Sequence, residues 1–90
     1  MRIEFDRAKD RQNFAKHGVS LVFAIRLEWD DALVWVDERF SYDELRMTGL
    51  APAGNALYCV TFIDHGSVYR IISLRPASKH EHRHYVENYP

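Results

Sequence analysis

The stretch ALYCVTFIDHGSVYRIISLRPASKHE, residues 56–81, decides the fold. Its first part, ALYCVTFID, is rich in β-branched and aromatic residues and reads as a strand in the middle of a sheet. His65 and Gly66 turn the chain tightly, and SVYRIISL returns as the last strand. Pro76 has no backbone N–H to give and breaks the ladder. Ser78 and Glu81 then stand at the spacing of a capping box, each side chain accepting an orphan N–H of the first turn. A short helix to about Glu87 follows from that cap.

Working outward, Ala53-Gly54-Asn55 is a turn, LRMTGLA (45–51) a strand, ERFSYDE (38–44) a polar loop and ALVWVD (32–37) another strand. The period is different before residue 32. Residues 2–5 alternate and read as a short strand. Asp6 is placed as an N-cap, and Gly18 supplies the left-handed residue that ends the helix between them. Phe14 is the main apolar residue of that helix, so most of it faces water. Lys16 and His17 sit in its last turn, where cations suit the helix dipole. Ser20 caps a second helix, residues 21 to about 27, whose Leu21, Val22, Ala24, Ile25 and Leu27 are dense enough for burial on a sheet. The expectation is one α+β domain spanning 1–90, with two N-terminal helices packed on one face of an antiparallel sheet of about four strands, and a short C-terminal helix.

Composition bounds the rest. A chain of 90 residues with 47% hydrophobic and 28% charged residues has the makeup of a globular domain, not a disordered one. No apolar run reaches the length of a membrane helix, and MRIEFDRAKD is charged from its second residue, so neither a signal peptide nor a membrane span is expected. Cys59 stands alone, which builds no disulfide framework and points to a reducing cytoplasm. The net charge of -1 hides an asymmetry. Glu28, Asp30, Asp31, Asp37, Glu38, Asp43 and Glu44 face only Arg39, whereas Arg70, Arg75, Lys79 and Arg83 face only Glu81. The segment 6–16 is mildly basic. Such separation predicts a local anion site and, in the acidic region, a separate docking edge. Strand alternation adds a polar floor: Glu44, Arg46 and Thr48 share one face of their strand, Cys59 and Thr61 one face of the next, Ser73 and Arg75 one face of the last. Lys79 and Arg83, four apart, are expected to overhang it, with the helices covering the other side.

The sequence resembles the BrnT family of type II toxin–antitoxin toxins. FDRAKDRQNFAKHGVS carries the N-terminal match through Phe5, Asp6, Lys9, Asn13, Lys16, His17, Gly18 and Val19. Glu44-x-Arg46 and Gly49 match in the middle, and RIISLRPAS with Glu81, Arg83 and Tyr85 at the C-terminal end. The resemblance implies a RelE-like fold and a ribonuclease toxin that halts translation by cutting RNA. It also implies a ribbon-helix-helix antitoxin, BrnA-like, encoded beside it, which forms a hetero-oligomer with the toxin and represses the shared operon. The last helix departs from the family in carrying His80, His82 and His84.

RNA cleavage without a metal or cofactor requires an activated 2'-OH, a stabilised phosphorane and a protonated leaving oxygen. Arginine suits the second task, since its fork matches phosphate and stays charged. Arg75 and Arg46 are therefore the candidate phosphate clamps, with Glu44 as partner to Arg46 or as base, and His17 as acid, base or helix cap. Lys79, Arg83, Arg70 and Tyr85 are candidates for RNA contact. The bland readings are a solvated cationic helix face and core aromatics. His80 and His84 have the spacing of a metal pair, but no third ligand accompanies them. The competing function is a catalytically weak module that binds an antitoxin and acts mainly in operon autoregulation.

Overall fold

The computed structural model describes residues 1–38 and 44–89; of the polar loop 38–44, residues 39–43 lie outside them. The elements run β1 (Arg2–Glu4), α1 (Arg7–His17), a 3-10 helix (Leu21–Arg26), a second (Trp29–Asp31), β2 (Leu33–Val36), β3 (Arg46–Ala53), β4 (Ala56–Asp64), β5 (Val68–Pro76) and α2 (Lys79–Asn88). One sheet has the order β1-β5-β4-β3-β2. β2 to β5 form the expected antiparallel meander. The short first strand joins it as a fifth, parallel to β5, through Arg2↔Val68 to Glu4↔Arg70.

The local signals act as read. The Asp6 carboxylate accepts the Lys9 N–H at 3.0 Å, and Gly18 closes α1 at φ 75, donating its N–H to the Phe14 carbonyl. The Ser78–Glu81 capping box starts α2. Residues 21–26 depart from the expected α-helix. The buried side chains are Leu21, Ala24 and Leu27, a repeat of three, while Val22 and Ile25 are exposed. A 3-10 helix stacks every third residue on one line. Asp10 fixes its start, accepting from both the Ser20 hydroxyl and the Leu21 N–H.

Helices lie on both faces of the sheet, not one. Leu21, Ala24 and Leu27 pack with Ala51, Val60, Phe62, Ile71 and Leu74 in the main core. Tyr85 of α2 packs on Leu50, Leu57 and Cys59, which alternation places on the opposite face. β4 is central because it alternates apolar residues toward both layers. A bulge sets the phase of β5: Thr61 pairs with Ser73 but Phe62 with Ile71, so Ile72 is the extra residue. Ile71 and Leu74, three apart, both reach the core, and Ser73 and Arg75 point to the other face.

β1 covers only the first part of β5. Along the remainder, the Asn13 side chain of α1 takes the place of a strand. Its Nδ2 donates to the Leu74 carbonyl at 2.7 Å and to the Val19 carbonyl at 2.9 Å, and its Oδ1 accepts the Leu74 N–H at 3.1 Å. Asn13 is buried, so these backbone groups have no water to fall back on. Asn13→Ala leaves them unsatisfied and is expected to lower unfolding free energy by about 3 kcal/mol, read from urea melts. A loss under about 1 kcal/mol would mean that water replaces the amide.

Candidate active site

The face under α2 carries a row of hydroxyls. Thr48 pairs with Thr61, and Thr61 with Ser73, so the three lie side by side across β3, β4 and β5. They floor a cavity of about 460 Å³, walled by Trp35, Asp37 and Glu38 on one side and by Cys59, Arg75 and Glu81 on the other. The polar floor expected from alternation is therefore present.

Arg75 is held in place. Its Nη1 and Nη2 donate to Glu81 Oε1 and Oε2 at 2.7 and 2.8 Å, and Nη1 reaches the Pro76 carbonyl at 3.4 Å. Glu81 also accepts the Ser78 N–H at 2.8 Å. The Arg75 hydrogen bonds, more than any other cause, hold the Glu81 carboxyl at about 2, with the Ser78 N–H assisting against the opposing effect of burial. Glu81 in turn raises the pKa of Arg75. The guanidinium has five N–H donors, and these contacts occupy three. Sequence reading treated Glu81 as the lone acid among cations; it is the anchor of one of them.

His17 lies half-buried in the last turn of α1, in a shallow cleft with Lys9, Lys16, Ile72 and Ser73. Burial first, then the charges of Lys16 and Arg75, lower its pKa. Gly18, not His17, caps the helix. The structure thus brings His17 and Arg75 to one end of the hydroxyl row, although 58 positions separate them in sequence. Lys9 and Lys16 of α1 line the same cleft as His17 and Ser73.

The other predicted residues are elsewhere. Arg46 opens β3 opposite Ile63, four residues along β4 from the Cys59 that faces Arg75. That is roughly 13 Å of strand, so Arg46 and Arg75 stand at opposite ends of the row. Glu44 is 3.6 Å from His65 Nε2, and Arg70 3.7 Å from Glu4. Lys79 and Arg83 do not overhang the floor. Glu81 faces Arg75, and two residues turn a helix by about 200°, so both cations point away, exposed. Tyr85 is an anchor: its hydroxyl donates to the Asp31 carbonyl at 2.6 Å and its ring stacks on Tyr89 at 5.0 Å. The Tyr89 hydroxyl donates to the Asp31 carboxylate, which pushes its pKa up to about 12. Among the described residues no three His, Cys, Asp or Glu side chains gather as a metal site. His84 meets the Trp35 ring edge-on at 5.5 Å. Asn13 went unread as a site-builder; its signal is an amide in a helix interior, where that residue is a poor helix former.

The structure is a mixed α+β domain with a polar cleft lined by Arg75 and Glu81 and, next to it, a shallow cleft lined by Lys9, Lys16 and His17. The family model for the ribonuclease toxin BrnT of type II toxin–antitoxin systems matches residues 5–81. The chain belongs to that family, which makes an antitoxin its partner. No curated protein matches it. No helix among the described residues is long and apolar enough to cross a membrane.

Because the folded pKa of Glu81 lies below its unfolded value, its stabilisation is present above about pH 4.5 and fades as pH falls toward 2. Glu81→Gln is expected to cost about 1–2 kcal/mol at pH 7, after allowing for the solvent exposure of both partners, and to flatten the acid limb of stability. Thermal melts between pH 2 and 7 check both.

Proposed function

We propose that this chain is a metal-independent endoribonuclease of RelE-like fold that acts in the cytoplasm, halts translation by cutting RNA, and is neutralised by a ribbon-helix-helix antitoxin. The observation that carries the reading is the approach of His17 to Arg75 beside Ser73. A lowered pKa leaves the imidazole neutral at physiological pH, ready to take the proton of a 2'-OH. The 2'-oxygen then attacks phosphorus, and the 5'-oxygen leaves with a proton from solvent. Among the described residues, two N–H donors of Arg75 are left for the charge that grows on the phosphorane. Glu81 has no proton to give at pH 7, so its part is to hold Arg75. Lys9 and Lys16 grip flanking phosphates, Arg46 and Arg70 attract the strand at the far end of the row, and Lys79 and Arg83 make outer backbone contacts. Glu44, beside His65, is structural.

A second reading has its own observation. Among the described residues, Asp37, Glu38 and Glu81 line the cavity over the hydroxyl row with Arg75 as its one cation, and that balance repels phosphate. It favours a module that holds an antitoxin and cleaves weakly or not at all.

The two separate cleanly. Arg75→Lys keeps a charge for Glu81 but loses the fork, and His17→Ala loses the base. Each is expected to lower RNA cleavage about a hundredfold or more and to relieve growth arrest on induced expression, with circular dichroism unchanged. If both folded variants cleave as well as the parent, or the parent itself causes no arrest, the binding-module reading stands. In the parent, the acid limb of the cleavage profile should have its midpoint below pH 6.5, because burial and the neighbouring cations lower the His17 pKa from that value; a midpoint above 6.5 would exclude His17 as the base.

A further inference from the structure

We infer that β2 is the edge to which an extended segment of the antitoxin, flanked by Lys or Arg, adds as a further strand of the sheet. The partner's identity rests on the toxin–antitoxin reading; the geometry of the edge does not.

β2 is the outermost strand, paired with β3 through Leu33↔Leu50 to Val36↔Met47, and with no other strand among the described residues. Sheet edges that stay unpaired are normally guarded by lysine, proline, a bulge or a covering element. The opposite edge has such cover: β1 is only three residues long, and Asn13 of α1 closes β5 beyond it. β2 has no lysine and no proline in its sequence LVWV. Val34, Trp35 and Val36 are exposed at 40%, 38% and 38%, so consecutive residues offer apolar surface on both faces of the strand. Val34 leans over Gly49, on the face away from the hydroxyl row: a Cβ at Gly49 would come within 3.3 Å of Val34 Cγ2.

Charge selects the occupant. From Glu28 to Glu38 the chain contains no Lys or Arg. Glu28, Asp30 and Asp31 stand before the strand and the exposed Glu38 after it, while Asp37 between them is buried. A second copy of this chain would set acidic ends against acidic ends in either direction, and an RNA strand would be repelled. A peptide strand with an apolar centre and cationic flanks meets complementary charge at both ends and complementary backbone along the middle.

The test uses the toxin with the antitoxin encoded beside it. Val34→Lys/Val36→Lys places two cations on the edge, outside the proposed catalytic groups. The double variant is expected to fold, to arrest growth when expressed alone as the parent does, and to bind the antitoxin about tenfold or more weakly, so that co-expression no longer restores growth. Asp30→Lys should weaken binding more mildly and reduce its salt dependence. Hydrogen exchange on the parent complex gives a readout free of substitutions: outward amides of β2 should gain protection on binding. Unchanged affinity in the folded double variant, or no protection of β2 in the complex, overturns the inference. So does self-association of the free toxin that Val34→Lys/Val36→Lys abolishes, which would assign the edge to a second copy. If the parent causes no growth arrest yet the variant still loses the antitoxin, the docking edge stands and the ribonuclease reading falls.

Discussion

One carboxamide holds the molecule to its working shape. Asn13 offers a donor and an acceptor in the same relative placement as a peptide group, and Leu74 answers with its own N–H and carbonyl. A helix is thereby hydrogen-bonded to a sheet edge as if it were a strand. The bond is local in space and distant in sequence, and it sits one residue before Arg75. Whatever Arg75 does depends on a backbone that this amide keeps from drifting. The same helix delivers His17 one turn later, so a single rigid element sets both the strand end and the imidazole beside it.

A second link works from the other side. Glu81 is the third residue of α2 and closes its capping box, yet its carboxylate is also the clamp on Arg75. The start of the helix and the end of β5 are therefore one hydrogen-bonded unit. Tyr85 and Tyr89 fasten the far end of α2 to Asp31. The helix that looked in sequence like a cationic arm is a strap: its inward residues are an acid and two phenols, and its cations face out.

Much of this was legible, and the limits are physical. Caps and turns are short-range, so Asp6, Gly18, Ser78 with Glu81 and the bounds of β4 could be read directly. The hydroxyl row could be read from alternation because Thr48, Thr61 and Ser73 keep period two on either side of the bulge. Residues 21–26 were misread because apolar side chains at both threes and fours fit an α-helix. Only contact with the sheet shows that Leu21, Ala24 and Leu27 alone go inward. The partner of Arg75 was hidden by function rather than distance, since a glutamate already committed to a cap was not expected to hold a second job. Asn13 leaves only a faint trace, an amide inside a helix, and its partner Leu74 is a tertiary fact; α2 was expected over the polar floor, but that it turns Glu81 inward and not its cations shows only in the contact with Arg75. The parallel pairing of β1 is another tertiary fact, which needs the far end of the chain to exist first.

That last pairing governs when the protein becomes itself during synthesis. β1 emerges from the ribosome well before β5 and cannot make its parallel pairing until Val68–Arg70 follow, and Asn13 waits for Leu74. Contacts of such long separation form late, after their loop-closure entropy has been met. A nascent chain whose β5 and α2 are still in the exit tunnel has a helix and part of a meander, but neither the strand end nor its clamp. A chain built this way cannot bring His17 and Arg75 together until β5 and the start of α2 have cleared the ribosome that is making it.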